Sequence, residues 1–142
     1  MSKTIFQTLA WLLASVILTT SACKKDDDNS TPSLPANLPS GTWKVTYFWD
    51  DKDETAYFAG YSFDFQSNGT ATATNGGTTV PGTWADGNDD SKQKLVLNFQ
   101  ATGKFEELNE DWEIISQTET KIELRHISGG NGGTDFLTFE KI

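Results

Sequence analysis

Three places in the chain hold residue types that can do chemistry, and spacing limits what each could do. His126 is the only histidine. In "IELRH" it shares a strand face with Ile122 and Leu124, where an imidazole is more often a satisfied strand-end residue than a catalytic base. A Ser-His-Asp arrangement would have to use it. Asp86, Asn88 and Asp90 in "DGNDD" alternate as the first three ligands of a calcium loop do, but Ser91 and Leu97 stand where that loop needs Gly and Glu. A solvated hairpin loop is the expectation there. The acid pairs Glu106–Glu107 and Glu110–Asp111 are neighbours on one loop, whereas glycoside hydrolysis needs two carboxyls set apart across a cleft. No nucleophile, base and orienting group fall into a recognisable pattern, so no catalytic residue is assigned and a non-enzymatic protein is expected.

Cys23 is the only cysteine, so no disulfide framework is available to the chain. It stands between an apolar run and the charge cluster "KKDDDN". Ahead of it lie a basic start with Lys3, the apolar run from Ile5 to Leu18 and the small polar residues "TTSA". This pattern reads as a secretory signal over residues 1–22, because a spanning helix needs about 20 apolar residues. An uncleaved membrane anchor is the alternative, and Gln7 and Thr8 shorten the run against it. Residues 24–40 hold three of the four prolines among small polar residues. Proline fixes φ and lacks the N–H, so residues 23–40 are expected to form an extended tether without a core. Residues 41–142 are enough for one domain of about one hundred residues.

"LTTSAC" resembles the lipobox of bacterial lipoproteins, in which small residues precede a cysteine that is diacylated before signal peptidase II cuts. Ser21 and Ala22 match the pattern, and Thr20 stands where Leu is usual. The resemblance implies lipidation of Cys23 with palmitate-type chains. Two acyl chains give stable anchoring, at about 0.8 kcal/mol for each buried methylene. "CKKDDDN" is similar to the start of mature Bacteroidetes-type lipoproteins, which implies placement in the outer membrane and exposure on its outer face. No thiol would then remain, and one histidine cannot complete the usual zinc ligand sets, so neither a metal nor a cofactor is expected.

The formal net charge of −9 becomes −10 once Lys3 is removed with the signal. So acidic a chain repels nucleic acid and anionic lipid. The partners expected are the membrane through its anchor and a small amphipathic ligand, a glycan or an envelope protein, with no nucleic acid.

From Gly41 onward, apolar and polar residues alternate with the period of a strand. Trp43, Val45, Tyr47 and Trp49 fall on one side of the first segment, with Phe48 the exception. Tyr61, Phe63 and Phe65 repeat the pattern. Asn68-Gly69 then supplies the hairpin signal of a type I′ turn. Further strands are predicted over 70–74, 78–85, 94–99, 111–117, 120–126 and 135–142, separated by turn-forming residues. "FEELNED" from Phe105 reads as a single helical turn. Pro81 calls for an edge position or a bulge, because it lacks a ladder donor. Eight strands in sequence order predict an all-β fold, either an antiparallel up-and-down barrel or a two-sheet β-sandwich.

"GTW" at Gly41 to Trp43, opening the first strand after a linker, resembles the Gly-x-Trp signature of lipocalins. Their eight-stranded up-and-down barrel matches the strand count. "TDF" at Thr134 to Phe136 is similar to the Thr-Asp-Tyr element of that family. In "FEKI", Lys141 stands where lipocalins place an arginine near the first-strand tryptophan. The domain is shorter than a full lipocalin, and small lipocalin-like domains of bacterial lipoproteins fit it better. The resemblance implies that Trp43 packs across the closed end of the barrel.

The expected barrel core is Trp43, Tyr47, Phe63, Phe65, Trp84, Phe99, Trp112 and Phe139, with Trp49 and Tyr61 also facing inward. An eight-stranded barrel is just wide enough to be filled by such rings, or to hold one small ligand where they are short. A ligand site is expected at the wider end, at Trp49, Tyr57, Phe58 and Tyr61, beside the acidic loop "DDKDET". Two functions follow: a binding module for a small amphipathic or apolar molecule, or a structural or interaction lipoprotein whose filled barrel contacts an envelope protein or a polysaccharide.

Overall fold

The structure is a computed structural model that describes residues 38–100, 102–129 and 133–142. Cys23, the signal and most of the tether lie outside the described residues. Among the described residues nine strands run in chain order: β1 Thr42–Asp50, β2 Lys52–Asp53, β3 Ser62–Phe65, β4 Thr70–Asn75, β5 Thr78–Asp89, β6 Lys92–Phe99, β7 Asp111–Gln117, β8 Lys121–Ile127 and β9 Thr134–Lys141. β2 is a two-residue flap paired back on β1. From β3 onward each strand pairs antiparallel with the next, and β9 returns to β1, from Trp43↔Lys141 to Trp49↔Phe136. The sheet is therefore a closed eight-stranded up-and-down barrel, and closure removes the free edges that a sandwich would keep.

Turn chemistry fixes the hairpins. Gly69 takes φ 85°, its N–H bonds Gln66 O at 2.9 Å, and Asn68 Oδ1 accepts from Thr70 N at 2.9 Å. The hairpin forms where the sequence predicts it, but only the glycine has positive φ, so the turn is not type I′. The "DGNDD" segment is not a loop either. β5 runs on to Asp89, and the reversal uses Asp90 and Ser91, both with positive φ. The β5–β6 ladder holds Asp86 and Asn88 extended, and Gln93 Nε2 bonds Asp86, so this backbone does not wrap a cation. Pro81 lies just past the last β5–β6 pair, Gly82↔Phe99, with its carbonyl accepting from Gln100 N. Its missing donor falls on that same side, where the ladder has ended.

One extra residue in β1 resets its inward side. Val45 pairs with Phe139, yet Tyr47 pairs with Thr138, so Thr46 is bulged. Trp43 and Val45 point in; beyond the bulge Phe48 points in, while Tyr47 and Trp49 turn outward at 39% and 36% exposure. Strict alternation had placed Tyr47 and Trp49 inside and Phe48 outside, and a one-residue slip reverses all three. A second bulge at Ile115 in β7 leaves that side chain exposed in the same way.

The core holds the other expected rings. Trp43, Phe63, Phe65, Phe99, Trp112 and Phe139 are buried, whereas Trp84 is only half-buried, packed against Phe65 with its N–H on Gln66 O at 2.8 Å. Gly82 allows Phe99 to lie against the β5 backbone, since a Cβ there would meet the Phe99 ring at 2.7 Å. Trp43 sits at the end where β1 begins. Its indole N–H donates to Leu38 O at 3.2 Å, and Lys141 Nζ lies 5.4 Å from its ring. Leu38, assigned from sequence to the tether, is fully buried beneath it.

Candidate functional site

At the opposite end the sequence predicts a mouth lined by Trp49, Tyr57, Phe58 and Tyr61. The structure does not bring these four together as a cup. Phe58 belongs to a 3-10 turn, Thr55–Phe58, that folds it inward to 1% exposure. There it meets Phe48 at 5.3 Å, Phe63 at 6.4 Å and Phe105 at 5.5 Å. Phe105 and Leu108 come from a second 3-10 turn, Gly103–Leu108, and both are buried. Tyr61 packs edge-on against Phe105 at 5.1 Å. Tyr57 and Trp49 stay on the surface.

Edge-to-face contacts link the rings down the barrel, from Trp112 through Phe48, Phe58, Phe105, Phe99 and Phe63 to Phe139 and Phe65. Such pairs add about 0.5–1.5 kcal/mol each beyond their burial. The lumen is a packed aromatic core.

Ionic contacts tie the two 3-10 turns across the mouth. Lys104 bonds Glu54 and reaches Glu107 Oε1 at 2.8 Å, while Lys52 meets Glu54 Oε1 at 3.1 Å. Glu54 is almost wholly buried, and the hydrogen bond from Lys104 holds its carboxyl below the usual range. Burial pushes Glu107 upward, and burial with the charge of Asp135 does the same to Asp50. The ammonium of Lys104 is driven above its ordinary value by Glu107 and Glu54, and it lies 5.0 Å from the Tyr57 ring.

A groove of about 300 Å³ opens on the outer wall where the β5–β6 turn meets β7 and β8. Arg125 forks onto Glu113 with two 3.0 Å bonds, Lys92 joins Glu113 at 3.3 Å, and Lys94 bonds Asp111. These contacts hold the Glu113 and Asp111 carboxyls low and Lys94 and Arg125 high. Because each of these cations is already paired, the groove offers no free positive cluster for an anion. Across the seam, β1, β9 and β8 set Trp49 opposite Phe136 and Phe136 opposite Arg125. Tyr47 stands one step along β1 on the same outward side. This patch is not legible in the order of residues, because it depends on the bulge at Thr46.

No protein-family model and no curated protein matches the chain. Among solved structures it is similar to the crystal structure of a DUF4847 family protein from Bacteroides vulgatus. The identity is 19%, the TM-score 0.49, and the match spans 72% of this chain and 93% of that one. The barrel rests on its own strand ladder, independently of that likeness.

Proposed function

We propose that the protein is a lipid-anchored, non-enzymatic interaction module of the cell envelope. Acyl chains on Cys23 hold it at the outer membrane through the tether, and the barrel works through its outer wall, against another envelope protein. The packed lumen carries this reading. A small amphipathic ligand would need room that Phe48, Phe58, Phe63, Phe105 and Phe139 already fill at 7% exposure or less. The side chains turned outward are of the kind that dominates protein interfaces: Tyr47, Trp49 and Arg125 beside half-buried Phe136. Exposed rings grouped on one face mark interaction sites more often than scattered ones do.

The test has two arms. Tryptophan fluorescence titrated with fatty acids, haem-like compounds and sugars is expected to show no saturable quench, and a saturable one would restore the ligand-cup reading. A photo-crosslinking residue at position 49 in intact cells is expected to give a discrete protein adduct that the same residue at position 79, on β5, does not. Adducts only with polysaccharide, or equal labelling from both positions, would overturn the protein partner. Labelled palmitate should enter the wild-type chain and not Cys23→Ser.

A further inference from the structure

His126, Glu110 and Asp111 stand far apart in sequence logic, because the histidine ends one strand while the acids open another. The fold joins them. Glu110 precedes β7 and is pinned by its carbonyl, which accepts from Leu97 N at 3.1 Å; Asp111 is the first residue of β7. His126 lies near the end of β8, packed 6.0 Å from the Trp112 ring, and pairs across the ladder with Asp135 of β9.

The distances have a particular meaning. His126 Nε2 is 3.4 Å from Glu110 Oε2 and 3.7 Å from Asp111 Oδ1, and the three donor atoms lie within 4.8 Å of one another. The Asp111 separation is too long for a hydrogen bond, and the Glu110 one is at the outer limit. Both are close to the ~3.4 Å edge of a tetrahedron whose ligands sit about 2.0–2.1 Å from a central ion. Behind the ring, Nδ1 faces Asp135 Oδ2 at 3.6 Å, and Ser128 Oγ donates to that carboxylate at 2.8 Å. At 3.6 Å Asp135 is beyond hydrogen-bond reach of Nδ1, but it stands on the side of the ring where the carboxylate that orients a metal-binding histidine is found. Lys94 engages the other oxygen of Asp111, Oδ2, leaving Oδ1 toward the histidine.

A second acid group, Asp50, Glu54 and Glu107, meets the same spacing, but Lys104 already sits among its carboxylates. In the histidine group the ammonium of Lys94 bonds Asp111 through Oδ2, not through the Oδ1 that faces His126. Asp111 and His126 also line the outer groove, which gives an ion a way in.

We propose that Glu110, Asp111 and His126 form a binding site for one divalent transition-metal ion of the Zn²⁺ class, with Asp135 as the residue that orients the imidazole. One nitrogen and two carboxylate oxygens suit that class better than Ca²⁺, which takes six to eight oxygens. The site is independent of the proposed interaction role, and its test does not use the outer aromatic patch.

The full chain, purified in detergent and stripped with a chelator, is titrated with ZnCl₂ alone against a fluorescent zinc chelator. One equivalent is expected to bind. His126→Gln, Glu110→Gln and Asp111→Asn should each weaken binding at least tenfold, and Asp135→Asn about 10- to 100-fold. Asp90→Asn, which removes a charge from the groove rim, should change it less than twofold. Because the chain has a single histidine, its ring ¹⁵N signals report directly. The Nε2 resonance should move on adding zinc while Trp112 and core signals show that each variant is folded. An unmoved histidine signal, or equal affinity in His126→Gln and wild type, would overturn the proposal. So would a loss in Asp90→Asn as large as in His126→Gln.

Discussion

The two ends of the barrel both keep water from the same aromatic core, and they do it by different physics. Where β1 begins, Leu38 lies buried under Trp43 and one indole N–H reaches the Leu38 carbonyl, with Lys141 over the ring. Shape and apolar burial dominate that closure. At the mouth, two 3-10 turns carry Phe58, Phe105 and Leu108 inward, and Lys104 joins them by bonding Glu54, fifty residues away in sequence. There, ionic contacts between the two turns add to the packing. The contrast implies that acid should open one end and leave the other shut.

The largest effect is expected from Trp43→Ala, which removes the closing ring and its hydrogen bond. A buried Trp or Phe cut to Ala loses about 3–5 kcal/mol, and chemical denaturation should show a drop of that size. A much smaller drop would mean that Leu38 closes this end by itself. The next is Lys104→Met, which removes one of the two ammonium groups paired with the buried Glu54 carboxylate and leaves Lys52. Amide exchange should accelerate at residues 54–61 and 103–109 and stay unchanged around Trp43. Acceleration at both ends would mean that the two closures are not independent.

Lowering pH on the wild type should do the same more gently. Glu54 is held below its ordinary 4.5 in the fold, so its contribution is complete above that value and fades as pH falls through the lower folded value. Glu107 and Asp50 are raised and act in the opposite sense, gaining from protonation. Mouth amides should therefore lose protection only at acid pH, after those two have protonated. The smallest effect is expected from Trp49→Ala, within about 0.5 kcal/mol, because the side chain lies on the outer wall. A loss of several kcal/mol would return Trp49 to the core.

Much of the fold is legible in period-two alternation. All eight predicted strands are present, and the helical turn near Phe105 falls at Gly103–Leu108. The sidedness of β1 beyond Val45 is not legible, since Tyr47 and Trp49 keep the apolar pattern that a straight strand would bury. The 3-10 turn at Thr55–Phe58 is equally silent in sequence: four residues carry no period, and Phe58 looks like any aromatic beside an acidic loop. The zinc-class cluster escaped because a search for cysteines and histidines finds one of each, and carboxylates become ligands only when strands bring them to an imidazole.

The chain's own order of residues determined the strand count, the hairpin positions and an interior rich in aromatic rings, because alternation and turn chemistry act over a few neighbours. The tertiary structure decided which rings point inward, how the mouth is plugged, and which acids meet His126. Those depend on register between strands distant in sequence, where one bulged residue reverses a face, and on contacts such as the ion pair of Lys104 with Glu54, fifty residues away.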